Sequence, residues 1–276
     1  MYKVAVIQFP GSNREYELVH DTFSSVGMHA ELFRWNRKDT DTLRSFDAYA
    51  LPGGFSYQDR VRAGVVAAKD KLMKILAEEA EKGKPILGIC NGCQILAEAG
   101  LVPQIYDNEV SMGLAPNAGK QNGQTVRTGF ISDWYNMKST ARKGRSFANY
   151  LVEEGEIFPV PIAHAEGRFR MSDEVLREME VNGQIIFTYC DQEGNVSEEY
   201  PVNPNGSTKS IAGVSNKRGN VVAIMPHPEA ANQLFQIPLD ISEAKQEAWG
   251  NYDKMEGPGP TRRIFESVRA YLEEMK

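Results

Sequence analysis

Cysteine is scarce in this chain, and the long apolar runs that a bilayer demands are missing. Only three cysteines occur in 276 residues, Cys90, Cys93 and Cys190. An odd number in a long chain argues against a disulfide framework and fits a reducing compartment. Cys90 and Cys93 form a C-x-x-C pair, a spacing that redox dithiols and zinc half-sites share, but no second C-x-x-C and no H-x-x-x-H completes it, so no metal site is expected. No stretch approaches the roughly 20 apolar residues of a spanning helix, and the N-terminus enters a strand without a signal-peptide pattern. A cytoplasmic protein is expected. Arginine-rich tracts are also absent and the net charge is -6, which argues against nucleic acid as the main partner, because phosphate backbones need a clustered positive field.

What is present is an ordinary globular composition, 41% hydrophobic and 25% charged, enough for a sizeable core. The first ninety residues alternate strand and helix patterns: strands over Lys3 to Phe9, Ala30 to Trp35, Ala48 to Leu51 and Pro85 to Ile89, and helices from Glu15 to Val26, Thr40 to Ser45 and Ala63 to Glu81. That order predicts an α/β fold, flavodoxin-like and doubly wound, with a mainly parallel sheet, flanking helices and a smaller antiparallel extension. Later strands are expected at Val126 to Ile131, Glu156 to His164, Ile185 to Cys190, Ile211 to Ser215 and Val221 to Met225. Helices are expected from Asp173 to Glu180 and from Pro260 to Lys276. Asn117 to Gln124 and Lys138 to Arg145 read as exposed loops. No repeat or clean linker divides the chain, so residues 1–276 are read as one domain.

The densest signal lies in Gly88-Ile89-Cys90-Asn91-Gly92-Cys93-Gln94. An apolar strand runs into a small-residue turn and directly into a helix, the geometry that holds a nucleophile at a strained apex. The helix N-terminus surrounds the thiol with a positive field that favours the thiolate, the attacking species. A thiolate needs a base, and the base needs an orienting group. Of the four histidines, His20 falls inside the first helical pattern and His29 at a strand start. His227 follows the buried-strand pattern Val221 to Met225 and is fixed by Pro226 and Pro228, with Glu229 two residues on. Cys90, His227 and Glu229 thus form a candidate catalytic triad. Oxyanion donors are expected from the backbone N–H of Asn91 and from Gly53-Gly54, with Gly54 favoured, since Pro52-Gly53-Gly54 closes a neighbouring strand.

Together these residues resemble class I, or triad-type, glutamine amidotransferases. Leu51 to Tyr57, Gly88 to Leu96, Pro161 to Phe169, Tyr200 to Ser207, Ile211 to Gly213 and Met225 to Glu229 look like the motifs of the glutaminase subunits of phosphoribosylformylglycinamidine synthases. The resemblance implies hydrolysis of glutamine to glutamate and ammonia for de novo purine synthesis. It implies a partner synthetase subunit that uses the ammonia, and a small bridging subunit. ATP and magnesium belong to that synthetase; this chain is expected to bind no cofactor, and it carries no G-x-x-x-x-G-K-[ST] loop. The resemblance also gives Gln94 a part in holding the glutamine substrate, against the alternative of a helix-surface amide. His164 and Glu166, in His164-Ala165-Glu166-Gly167, are read as interface or loop-ordering residues, or as packing. Two departures stand out: Gln58 where the family usually has glycine, and Ala230 where arginine commonly follows Pro-His-Pro-Glu. Competing readings are a cysteine hydrolase or peptidase on the same scaffold, which would take its base from a histidine next to the nucleophile, where Asn91 stands, and a non-catalytic assembly module.

Overall fold

The computed structural model describes residues 1–106 and 109–275. Its strands are β1 (Lys3–Gln8), β2 (His29–Arg34), β3 (Ala48–Leu51), β4 (Ile86–Ile89), β5 (Met112–Ala115), β6 (Ala118–Gln121), β7 (Gln124–Thr128) and β8 (Ile131–Ser139). They continue with β9 (Ile157–His164), β10 (Arg168–Met171), β11 (Ile185–Cys190), β12 (Ile211–Ser215) and β13 (Val221–Ile224). The helices are α1 (Lys71–Glu81), α2 (Asn91–Glu98), α3 (Asp173–Val181), α4 (Glu243–Ala248), α5 (Tyr252–Met255) and α6 (Arg262–Glu274).

Nine strands form one sheet in the order β2-β1-β3-β4-β13-β12-β11-β8-β9. From β2 to β13 every pairing is parallel; from β13 to β9 every pairing is antiparallel. The parallel strands are short unbroken apolar runs, and β3, β4 and β13 are buried at every position. That is the pattern of strands covered on both faces by crossover elements. β9 instead alternates, burying Phe158, Val160, Ile162 and His164 while the residues between are partly exposed, as a strand with one covered face does. The first part of the sheet has the flavodoxin-like order, in which the loops at the carboxyl ends of the strands gather on one edge. Residues 53–54, 90 and 227 all follow such ends. The antiparallel extension is continuous with the parallel sheet, supplemented by two small pairs, β10-β5 and β6-β7.

Several local expectations change. The helix expected from Ala63 begins at Lys71, because Gly64 is left-handed and packs against the backbone of Gln94 and Ile95. Asp70 is extended, and its side chain accepts the Leu72 N–H as the cap of α1. The loop expected over 117–124 is largely a hairpin: β6 and β7 pair antiparallel around Asn122-Gly123, and both turn residues have positive φ. The strand expected from Val126 to Ile131 is two strands separated at Gly129, and β8 runs on into the expected 138–145 loop. Glu15 to Val26 contains a π-helical segment, Glu17–Thr22. The last helix starts at Arg262, after the cap residue Thr261; Lys276, its expected end, lies outside the described residues. α4, α5, β5 and β10 were not anticipated.

Candidate active site

β4 enters the site through Ile89 and leaves through Cys90, whose φ of 52° and ψ of -104° are foreign to a residue with a side chain. Its own N–H donates to Ile224 O at 2.8 Å and its carbonyl accepts Gln94 N–H at 3.1 Å. The apex is thus tied to β13 behind it and to α2 ahead of it. Gly92 makes this packing possible, because a Cβ there would lie 2.0 Å from Leu51 O.

His227 follows β13 on the neighbouring strand. Its backbone N–H donates to Pro161 O at 2.9 Å, so β9 of the antiparallel side holds the histidine loop. The imidazole Nδ1 lies 2.6 Å from Glu229 Oε1, and both side chains are buried. Nε2 has no hydrogen-bond partner among the described residues. Burial works to lower the His227 pKa, but the charges of Glu229 and of Cys90, with the hydrogen bond to Glu229, outweigh it and hold the pKa up to about 10. Nδ1 is committed to Glu229, and Nε2 is the ring nitrogen left without a partner among the described residues.

Gly53 sits against the histidine: a Cβ there would be 2.8 Å from His227 Cε1 and 3.6 Å from Cys90 Cβ. Gly54 has a φ of 134° and forms an isolated bridge with Ser12. The bonds of that bridge run from Asn13 N to Gly53 O and from Phe55 N to Gly11 O, both 2.8 Å. Gly54 therefore turns its own N–H away from Ser12, and the residue lines two cavities together with Cys90. The Asn91 N–H, at the first position of α2, is one of the donors a helix start leaves unpaired.

Asn91 also orders the loop beyond Gly54. Its Oδ1 accepts the Ser56 N–H at 3.1 Å, and its Nδ2 donates to Gln94 Oε1 at 2.9 Å and Asp59 Oδ1 at 3.3 Å. Gln94 is buried, not a surface amide, and its Nε2 donates to the Glu166 carbonyl at 2.7 Å. The loop is strained: Tyr57, Gln58, Asp59 and Val61 all have positive φ. Gln58, where glycine was the expected residue, sits at φ 61° and accepts two bonds from Arg60. Asp59 faces the same cavity as Cys90; burial and then the Glu166 charge raise its pKa to about 6, against a lowering hydrogen bond from Asn91. The sequence alone assigns it no role, although it lies only a few residues beyond Gly54.

His164 is buried, with Nδ1 3.2 Å from Asn117 Oδ1, and Gly167 lies flat against its ring. Burial, then the charge of His227, lowers its pKa to about 3 despite a backbone hydrogen bond that raises it. Asn117, read from the sequence as the start of an exposed loop, is buried and also accepts the Gly167 N–H and donates to Gly129 O and His164 O. Ala230 donates its N–H to His227 O at 3.1 Å. Cys93 is fully buried on α2, where burial and then Cys90 push its thiol well up; all three cysteines are unlinked. Among the described residues no group of His, Cys, Asp and Glu could hold a metal ion, and no helix is long and apolar enough to cross a membrane.

A hydrogen-bonded acid and imidazole beside a buried thiol that borders two small cavities, with two backbone N–H groups at hand, can carry out acyl transfer through a thioester. Comparison with known proteins agrees. A family profile described as the CobB/CobQ-like glutamine amidotransferase domain matches residues 1–272. The subunit PurQ of phosphoribosylformylglycinamidine synthase from Methanothrix thermoacetophila is 45% identical, over 99% of each chain. PurQ of Aquifex aeolicus is 42% identical over 84% of this chain and 92% of its own. A chain of the solved PurLQS structure from Thermotoga maritima is 30% identical, with a TM-score of 0.70 over 98% of this chain and 99% of that one. A strand-to-helix cysteine, a buried His-Glu pair on the next strand and matches of this length have one reading: the chain belongs to the glutamine amidotransferases of the CobB/CobQ-like type.

Proposed function

We propose that this chain is the glutaminase subunit of a phosphoribosylformylglycinamidine synthase. It releases ammonia from glutamine for a synthetase subunit that converts formylglycinamide ribonucleotide to its amidine in purine biosynthesis. The PurQ relatives and the PurLQS assembly of Thermotoga maritima support the assignment and the multi-subunit complex. The observation that carries the chemistry is Cys90 at a left-handed apex beside a histidine held 2.6 Å from a buried glutamate.

In the mechanism we assign, His227 takes the Cys90 proton and Sγ attacks the side-chain amide carbon. The carbonyl oxygen becomes an oxyanion held by the Gly54 and Asn91 N–H groups. His227 Nε2 then protonates the departing nitrogen, ammonia leaves and a thioester remains. Water, deprotonated by His227, cleaves it to glutamate. Gln94 holds the substrate through the wall it shares with Glu166. The chain works as one glutaminase unit in the cytoplasm and binds no cofactor itself; ATP and magnesium act on the synthetase. The cavities flanking Cys90 are small, about 60 and about 130 Å³, which favours activity that rises when the partner docks.

The test is reconstitution. Glutamine-dependent amidine formation and glutamate release are expected with the co-purified synthetase, and Cys90→Ser should lose both by about 10³-fold or more. Undiminished release by Cys90→Ser, or turnover indifferent to the synthetase, would refute the respective parts.

A further inference from the structure

At the edge of the sheet opposite Cys90 lies a cup of about 420 Å³ lined by Arg142, Arg145, Lys217 and Arg218, with Gly144 and Asn182. It sits where the Asn216–Asn220 turn enters β13, whereas His227 leaves that strand at its other end. Four cations converge here in a chain whose net charge is -6. Among the described residues none of them meets a carboxylate within ion-pair distance, although Arg44, Arg62, Arg262 and Arg263 each do elsewhere. Such a concentration of like charge is unfavourable unless something answers it.

Arg145 is built in. Its Nε donates to Asn182 O at 2.8 Å and its Nη2 to Lys217 O at 3.0 Å, which fixes the plane of the guanidinium. Gly219 brackets it, since a Cβ there would fall 2.3 Å from Arg145 O and 2.9 Å from Nη1. Burial, and then the neighbouring Arg142, lower its pKa, so the site is electrostatically unsatisfied as it stands. Arg218 Nη1 donates to Glu81 O at 2.8 Å and Lys217 Nζ to Ile105 O at 3.0 Å. Arg145 and Arg218 therefore reach carbonyls at the C-terminal ends of α3 and α1, a purely structural use of cations. That use does not extend to Arg142, whose exposed guanidinium bonds to no described residue.

We propose that this cup is an anion site for a diphosphate group, free or carried on a nucleotide, separate from the glutaminase centre. Arginine forks match phosphate oxygens two at a time, and the volume is that of a small-molecule site. The proposal is independent of the glutaminase assignment.

The test is calorimetric titration of the full chain with inorganic pyrophosphate at ionic strength held constant with sodium chloride. Saturable one-to-one binding is expected. Arg142→Ala should weaken it about tenfold, the loss of one charge-assisted contact, while leaving the melting temperature of the ligand-free protein and glutamate release unchanged. A parallel titration with ADP separates the sources: tighter binding than pyrophosphate identifies a nucleotide, equal or weaker binding the diphosphate alone. Absence of saturable binding, equal affinity in Arg142→Ala, or binding of an acidic peptide but not of pyrophosphate would overturn the proposal.

Discussion

The parallel and antiparallel parts of the sheet share one hydrogen-bonded layer but divide the work. The parallel strands end in the loops that carry Gly53, Gly54, Cys90 and His227, and α2 lies so close on the backbone of β3 that glycine is forced at position 92. The antiparallel strands carry none of the proposed triad. They supply the wall: Pro161 O holds the His227 backbone, Ala163 O lies 3.6 Å from the Cys90 sulfur, and Asn117 locks His164 and Gly167 beneath the cavity. The contrast teaches that reacting groups ride on the strands with the least conformational latitude, while the surface that shapes their cavity is built from more adaptable, partly exposed strands.

That division can be broken most sharply at Glu229. Glu229→Gln keeps the shape of the triad but removes the charge that sustains the imidazole proton, and glutamate release should fall by about 10²-fold or more. The same variant has a signature in stability. A histidine whose pKa is raised in the fold stabilises it fully below its ordinary value of 6.5, and that contribution disappears as pH climbs through about 10. Melting temperature should decline over this interval in the native protein and decline less in Glu229→Gln; equal slopes would place the source of the raised pKa elsewhere.

Two glycines then sharpen the contrast in packing. Gly92→Ala drives a methyl into Leu51 O and should cost about 3 kcal/mol by chemical denaturation. Gly113→Ala, on β5 with nothing within 4 Å of the added atom, should change stability by less than about 0.5 kcal/mol. Comparable costs would mean that the parallel strands are no more tightly packed than their neighbours.

Asn117→Ala probes the wall itself. It strips partners from the His164 ring and the Gly167 N–H, and should destabilise by about 2 kcal/mol while altering glutamate release less than Glu229→Gln does. A larger kinetic loss than in Glu229→Gln would move Asn117 from the wall into the chemistry. The change of opposite sign is expected at Gln58, held at φ 61°: Gln58→Gly should stabilise by about 1 kcal/mol, read as a higher melting temperature.

Much of the parallel half was legible in the sequence because its signals are local. Ala48–Leu51 is a strand with the expected bounds, and the elbow at Cys90 follows from a short apolar run meeting glycine and a helical pattern. Ile185–Cys190 and Ile211–Ser215 were equally plain. The hairpin of β6 and β7 was not, since Asn117, Gly119, Lys120 and Gln121 carry turn-like and polar residues whose pairing depends on a partner strand. Ala63 to Asp70 misled for the opposite reason: its apolar spacing suits a helix, but contact of Gly64 with α2 overrides it. Asn117 and Asp59 became visible only in three dimensions, because an amide or a carboxylate acquires its role from what burial places against it.

β13 is the seam of the molecule, parallel to β4 on one side and antiparallel to β12 on the other. It ends in the loop that Pro161 O clasps. His227 is thereby mounted where the parallel and antiparallel parts of one continuous sheet meet. The antiparallel side therefore touches both reacting groups: Pro161 O of β9 holds the His227 backbone, and Ala163 O of the same strand lies against the Cys90 sulfur. One strand of the extension thus braces the base and the nucleophile together, so their separation is set by β9 as much as by the strands that carry them.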